Sequence, residues 1–197
     1  MDRLTKIETF TTEDVGFVRI TMEDGATGWG QVSTYHSDIT CQVLHRQVAP
    51  WMLGQDCTDL DDLLDRVTER EHKFPGSYLR RAMGGVDTAL WDMWGKRAGQ
   101  PVAALLGGAH RTGRAYASSM KRDITPDDEA ERLKREAGER GFTAFKVRAG
   151  AEVGRNQDEW PGRTEAIIPT MRRALPDADL LIDANSCYTP DRAIEIG

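Results

Sequence analysis

Apolar residues recur among polar ones through residues 4–10 (Leu4, Ile7, Phe10) and more closely through 14–22 (Val15, Phe17, Val18, Ile20, Met22), and the two stretches read as a pair of β-strands. Glu23-Asp24-Gly25 follows as a turn, and Thr27–Val32 completes a meander of three short strands. Beyond Ile39 the period lengthens. Val43, Leu44, Gln47 and Val48 suit a helix ended by Pro50; Leu60, Leu63, Leu64 and Val67 suit a second, capped by Thr58 or Asp59. The strongest helix is predicted over residues 77–98, with Leu79, Met83, Val86, Leu90, Met93 and Trp94 as its apolar stripe and Gly99 and Pro101 as its stop. Gly84 and Gly85 inside it each cost about 1 kcal/mol relative to alanine, which predicts close approach of a neighbouring backbone as compensation.

After Gly107-Gly108 the pattern changes. A short strand over 114–118, a charged amphipathic helix over 126–140 and an apolar strand over 143–148 are followed by a helix over 162–174. An almost wholly apolar strand over 179–183 and a helix opened by Pro190 complete a β-α-β-α-β-α series. Strands apolar on both faces predict a parallel sheet buried between layers. The expected division is therefore an α+β unit over residues 1–110 and a βα array over 111–197.

Composition narrows the function classes. Of 197 residues, 39% are hydrophobic and 29% charged, which fits an ordinary globular protein. The formal net charge of −6, without a long Lys/Arg cluster, argues against a nucleic-acid partner. The first residues, MDRLTKIETF, lack a long apolar run and nothing has the length of a spanning helix, so a cytoplasmic location with no membrane partner is expected. Three cysteines without CxxC spacing suggest neither a disulfide frame nor a zinc site. Gly25, Gly28 and Gly30 miss the GxGxxG spacing and no helix opens after them, so they read as hairpin glycines. His45, His72 and His110 show no metal-ligand spacing and read as surface residues.

Candidate chemistry lies at two strand ends. Lys146 and Arg148 stand two residues apart, as do Asp183 and Asn185, so each pair points to one face of its strand. Cations beside a carboxylate at the ends of consecutive strands are what metal-assisted proton abstraction next to a substrate carboxylate needs. A buried ion pair of Lys146 or Arg148 with Asp183 is the competing, purely structural reading. The connection over 149–160 is longer than the about two to six residues usual for such loops; it reads first as a solvated surface loop, with Arg155 and Trp160 as candidates to line a site. Ser118 and Ser119 are candidates either to face a ligand or to cap a turn.

The run from Gly84-Gly85-Val86-Asp87 through Ala89-Leu90-Trp91-Asp92, Gly95-Lys96 and Gly99-Gln100-Pro101 to Leu105-Leu106-Gly107-Gly108 resembles the signature helix of one family. That family is the mandelate racemase/muconate lactonizing group of the enolase superfamily. The resemblance implies an α+β capping domain followed by a modified (β/α)8 TIM barrel. Lys146-Val147-Arg148 matches the group's Lys-x-Lys position on the second barrel strand, and Asp183-Ala184-Asn185 matches the third-strand motif that supplies the first Mg²⁺ ligand. A TIM barrel takes about 250 residues, so residues 114–197 leave room for its first three βα units only. The expectation is a truncated barrel, the N-terminal half of an enzyme and inactive by itself, with further metal ligands and a base contributed by later strands.

By the same resemblance, Asp183 is the metal ligand, Lys146 contacts the substrate carboxylate, and Arg148 occupies the position where racemases of the group place a lysine base. Arginine keeps its proton in proteins and cannot act as that base. A one-sided reaction is therefore expected: loss of the proton α to the carboxylate, then loss of a hydroxyl, as in the group's acid-sugar dehydratases. Asn185, Tyr35, His36 and Trp160 are the expected substrate contacts, with the segment 32–38 as the family's mobile closing loop. The implied partner is a small carboxylate such as a sugar acid, and the intact enzyme is expected to be a homo-oligomer. The alternatives are a racemase, epimerase or cycloisomerase of the same superfamily, or a non-catalytic binding or assembly module.

Overall fold

Strands β1 (Leu4–Thr11), β2 (Val15–Met22) and β3 (Thr27–Thr34) form an antiparallel meander in chain order. This is seen in a computed structural model that describes residues 2–109 and 111–197; His110 lies outside the described residues. The chain divides into two compact units, Met1–Arg111 and Thr112–Gly197. In the first, Leu4, Ile7, Val18, Ile20, Met22 and Val32 are buried beneath the sheet, and an irregularity in β1 between Leu4 and Lys6 lets Leu4 and Ile7, three residues apart, both turn inward. They share one core with Leu79, Met83, Val86, Leu90 and Met93 of helix α4 (Ser77–Ala98). Gly99 ends that helix at φ 61°, a left-handed conformation that glycine adopts without steric cost.

Gly28 and Gly30 are not hairpin glycines. They lie inside β3, where a Cβ on Gly28 would stand 1.9 Å from the Ala89 carbonyl oxygen and one on Gly30 2.1 Å from that of Gly85. Only Gly25, at φ 83°, serves the hairpin. The close approach expected at the glycine pair of α4 occurs at Gly85, where an added Cβ would meet Val32 at 2.5 Å, and not at Gly84, which faces open space.

The helix expected to stop at Pro50 runs through it. Helix α1 (Ser37–Val43) widens into a π-turn over Leu44–Val48 and closes as α2 (Ala49–Met52), with Pro50 in the first turn of α2. A proline ring collides with the carbonyl four residues back in a regular α-helix, and a widened turn relieves that contact. Helix α3 (Leu60–Arg70) is capped by Asp59, whose carboxylate accepts the Asp62 N–H at 3.0 Å. Asp59→Ala is expected to lower the stability of the first unit by about 1 kcal/mol, read as a shift of its urea midpoint. A short helix α5 (Val102–Leu105) follows α4.

The second unit holds three parallel strands in the order β4 (Ala117–Ser118), β5 (Ala144–Arg148), β6 (Asp179–Asp183). Helices α6 (Pro126–Arg140) and α7 (Arg163–Ala174) connect them, and α8 (Pro190–Ile196) follows β6. Leu133, Phe145, Val147, Ile167 and Met171 form the core between sheet and helices. The first strand is shorter than the expected 114–118; Arg114 precedes it, and its guanidinium bonds Asp179 and the Thr143 carbonyl. Strand β6 is also not buried on both faces. It lies at the sheet edge, and Leu181 and Ile182 are each 41% exposed.

Candidate active site

Parallel pairing sets Arg148 opposite Asp183 and Lys146 opposite Leu181, while Ser118 pairs with Lys146 on the other side. Because the side-chain period of a strand is two, Lys146, Arg148 and Asp183 then share one face. The Asp183 Oδ2 atom lies 3.1 Å from Lys146 Nζ and 2.5 Å from Arg148 Nη1. The other oxygen, Oδ1, accepts the Asn185 backbone N–H at 2.9 Å. Asn185, at φ 50°, is thereby turned back over the strand end.

Arg148 is 8% exposed and fully engaged. Its Nε donates to the Ser119 carbonyl at 3.2 Å, its Nη1 also to Asn185 Oδ1 at 2.9 Å, and its Nη2 contacts the Met120 sulfur at 3.0 Å. Lys146 Nζ sits 5.5 Å from the centroid of the Tyr116 ring. The Asp183 carboxyl is held below the usual carboxylate range, first by the Asn185 N–H and then by the Lys146 and Arg148 cations.

Four of the expected site residues thus come together: Lys146, Arg148, Asp183 and Asn185. Trp160 does not join them directly. Its ring lies 5.2 Å from the guanidinium carbon of Arg163, whose Nη1 donates to the Arg148 carbonyl at 2.9 Å. Tyr35 and His36 belong to the other unit, and both are exposed. Within the segment 32–38, Val32–Thr34 end β3 and buried Ser37 opens α1. What connects them is a tight turn with Tyr35 at φ 61° and His36 at φ 52°. Ser119 caps its own turn by accepting the Lys121 N–H, and Ser118 is exposed.

The long connection after β5 is tied down by polar contacts. Asp158 accepts both the N–H and the hydroxyl of Thr164, and that hydroxyl oxygen accepts the Gly150 N–H at 2.9 Å. Asn156 N–H donates to the Cys187 carbonyl at 2.8 Å, and its amide oxygen accepts the Thr189 N–H at 2.8 Å.

Two arginines outside any sequence motif also reach the site. Arg122, between β4 and α6, reaches the carbonyls of Ala149 and Gly150 and the amide oxygen of Asn185. Arg163 is 1% exposed in the first turn of α7, where burial pushes its pKa down. A cation at a helix N-terminus opposes the helix dipole, and that mismatch was the available signal for Arg163.

The donor set was weighed against magnesium, which takes an octahedron of oxygens. Among the described residues no group of three or more His, Cys, Asp or Glu side chains gathers. Asp183 supplies one carboxylate, and both its oxygens are already engaged. These residues fit a single corner of such a shell and do not build the shell themselves.

The parallel βα units and the meander packed on one long helix agree with the sequence comparison. The profile of the mandelate racemase / muconate lactonizing enzyme N-terminal domain matches residues 3–107, and that of the enolase C-terminal domain-like family matches 128–197. The chain belongs to the mandelate racemase/muconate lactonizing enzyme group of the enolase superfamily. It is 32% identical over 190 residues to an arabinonate dehydratase from Saccharolobus solfataricus, covering 90% of this chain and 47% of that protein. It is 34% identical over 188 residues to a D-galactarolactone cycloisomerase from Agrobacterium fabrum, covering 91% of this chain and 46% of that one. The crystal structure of a protein from Roseobacter denitrificans, provisionally described as a racemase, is 79% identical with a TM-score of 0.94, covering 100% of this chain and 54% of that one. The chain spans about half the length of the curated relatives it matches.

Proposed function

We propose that this chain carries the capping domain and the first three βα units of a TIM-barrel sugar-acid dehydratase, with the second and third barrel strands supplying part of the active site. The observation that carries the reading is Arg148. It stands where a racemase would need a removable proton, yet it is a permanent cation bonded to Asp183, Asn185 and the Ser119 carbonyl. A group so held serves as an electrostatic clamp rather than a proton shuttle. Dehydratases of arabinonate and galactonate among the relatives support the substrate class.

In this reading Asp183 is one ligand of a magnesium ion, joined by carboxylates outside this chain; a relative from Paracoccus denitrificans, 32% identical with a TM-score of 0.83, was crystallised with magnesium. When bound, the ion supplies a fixed positive charge for the substrate carboxylate. Lys146 places its ammonium beside the same carboxylate, and its contact with the Tyr116 ring holds it there. Arg148 stabilises the negative charge that grows on the carboxylate oxygens as the α-proton leaves. Asn185 orients a hydroxyl or carboxylate oxygen of the acid. The base is contributed by a later barrel strand, and the intact enzyme is a homo-oligomer.

The test uses a protein that carries this chain within a complete barrel, incubated with D-arabinonate and D-galactonate in deuterium oxide. Loss of water with a 2-keto acid as product is the expected result. Deuterium incorporation at the α-carbon with inversion and without loss of water would instead establish the epimerase reading, which the Roseobacter neighbour favours.

A further inference from the structure

The Asn185 side chain is held by two guanidinium groups at once. Its Oδ1 accepts from Arg148 Nη1 at 2.9 Å and from Arg122 Nη2. A guanidinium only donates, so the amide atom facing both arginines is the carbonyl oxygen, and its two lone pairs are both engaged. No acceptor capacity remains there for a metal ion or a ligand hydroxyl proton. Among the described residues the structure gives Nδ2 no acceptor, so the amide N–H donors are the part of Asn185 left for a ligand.

Arg122 is itself fixed before it reaches Asn185. Its Nη1 donates to the Ala149 carbonyl at 2.9 Å and the Gly150 carbonyl at 2.8 Å, the first two residues after β5. One planar fork thus ties the end of β5 to the turn after β6. Lysine, a point charge on a flexible stem, cannot reproduce that geometry.

We propose that Arg122 is a positioning residue that locks the Asn185 amide with its oxygen inward, so that this corner of the site reads an acceptor oxygen of the ligand through N–H donors. The ligand part of the proposal rests on the sugar-acid reading above; the clamp does not. Asn185 is accordingly a ligand-binding donor and not a member of the metal shell.

The test is made on a protein that carries this chain within a complete barrel, the parent, and on its Arg122→Met, Arg122→Lys and Asn185→Asp variants. The Asn185 side-chain amide is followed by ¹H–¹⁵N relaxation, and the affinity for D-galactonate and D-arabinonate by calorimetry. Expected results are an ordered amide in the parent chain, a mobile one in both Arg122 variants, and affinity weakened about tenfold in each. Asn185→Asp keeps both guanidinium contacts, so it is expected to hold its melting temperature while losing binding.

An amide that stays ordered in Arg122→Met overturns the clamp, as does parental affinity in Arg122→Lys, which would mean that charge alone suffices. If Arg122→Met fails to fold, the lysine variant decides by the same two readouts. If the complete-barrel parent binds neither acid while the amide loosens in the variants, the clamp is supported and the sugar-acid reading is what fails.

Discussion

Gly30→Ala is expected to unfold the first unit or to destabilise it by about 3 kcal/mol or more, measured by urea denaturation. The new Cβ would stand 2.1 Å from the Gly85 carbonyl oxygen and 3.0 Å from the Ala89 nitrogen. Both obstacles are backbone atoms of α4, so no rotamer change relieves them. The helix cannot retreat without separating Val86, Leu90 and Met93 from the sheet residues with which they share a core. Gly28→Ala should behave alike, since its Cβ meets the Ala89 carbonyl at 1.9 Å. Gly84→Ala is the control. Gly84 is exposed and its Cβ position faces open space, so alanine there should stabilise α4 by about 1 kcal/mol. Equal effects at Gly30 and Gly84 would show that the contact between β3 and α4 is looser than described.

Asp183→Asn is expected to act on both stability and activity. It leaves Lys146 and Arg148 facing a neutral amide at the strand ends, with the Arg148 side chain 9% and that of Lys146 21% exposed. Stranding a buried cation costs about 3–5 kcal/mol when water is excluded; partial exposure here reduces the expectation to about 1–3 kcal/mol. In the complete barrel, activity on sugar acids should fall about 10³-fold. The pH dependence supplies a second check. The folded carboxyl titrates below its ordinary value, so its contribution to stability is fully present above the ordinary carboxylate range. It is lost as pH falls through that range toward the folded pKa. The stability difference between parent and variant should therefore be constant from about pH 5 upward and shrink below about pH 4. A difference that grows on acidification would contradict the assigned ion pairs.

Long helices and the strand-end charges were legible in the sequence for physical reasons. Residues 77–98 carry a stripe at helical spacing over 22 positions, and Gly99 stops them in the left-handed conformation common at helix C-termini. Lys146, Arg148 and Asp183 were legible because a period of two fixes which side chains share a face. Gly28 and Gly30 were not, because their partners are carbonyls of a helix far along the chain, and such contacts leave no local pattern. Arg122 and Arg163 were hidden likewise: their main acceptors are the carbonyls of Ala149, Gly150, Ile124 and Arg148. Pro50 misled because a π-turn absorbs its ring. The exposure of β6 follows from its place at the sheet edge, which an apolar run cannot reveal.

The connection after β5 owes its order to hydrogen bonds of Asn156, Asp158 and Thr164 far more than to oil-like packing. Opening it exposes little apolar surface, so the heat-capacity increment of that local event is small. Its opening equilibrium should then follow a nearly straight van't Hoff line, while the sheet beneath it melts along a curved one. Warming would loosen the rim of the site well before the strands that carry Lys146 and Asp183.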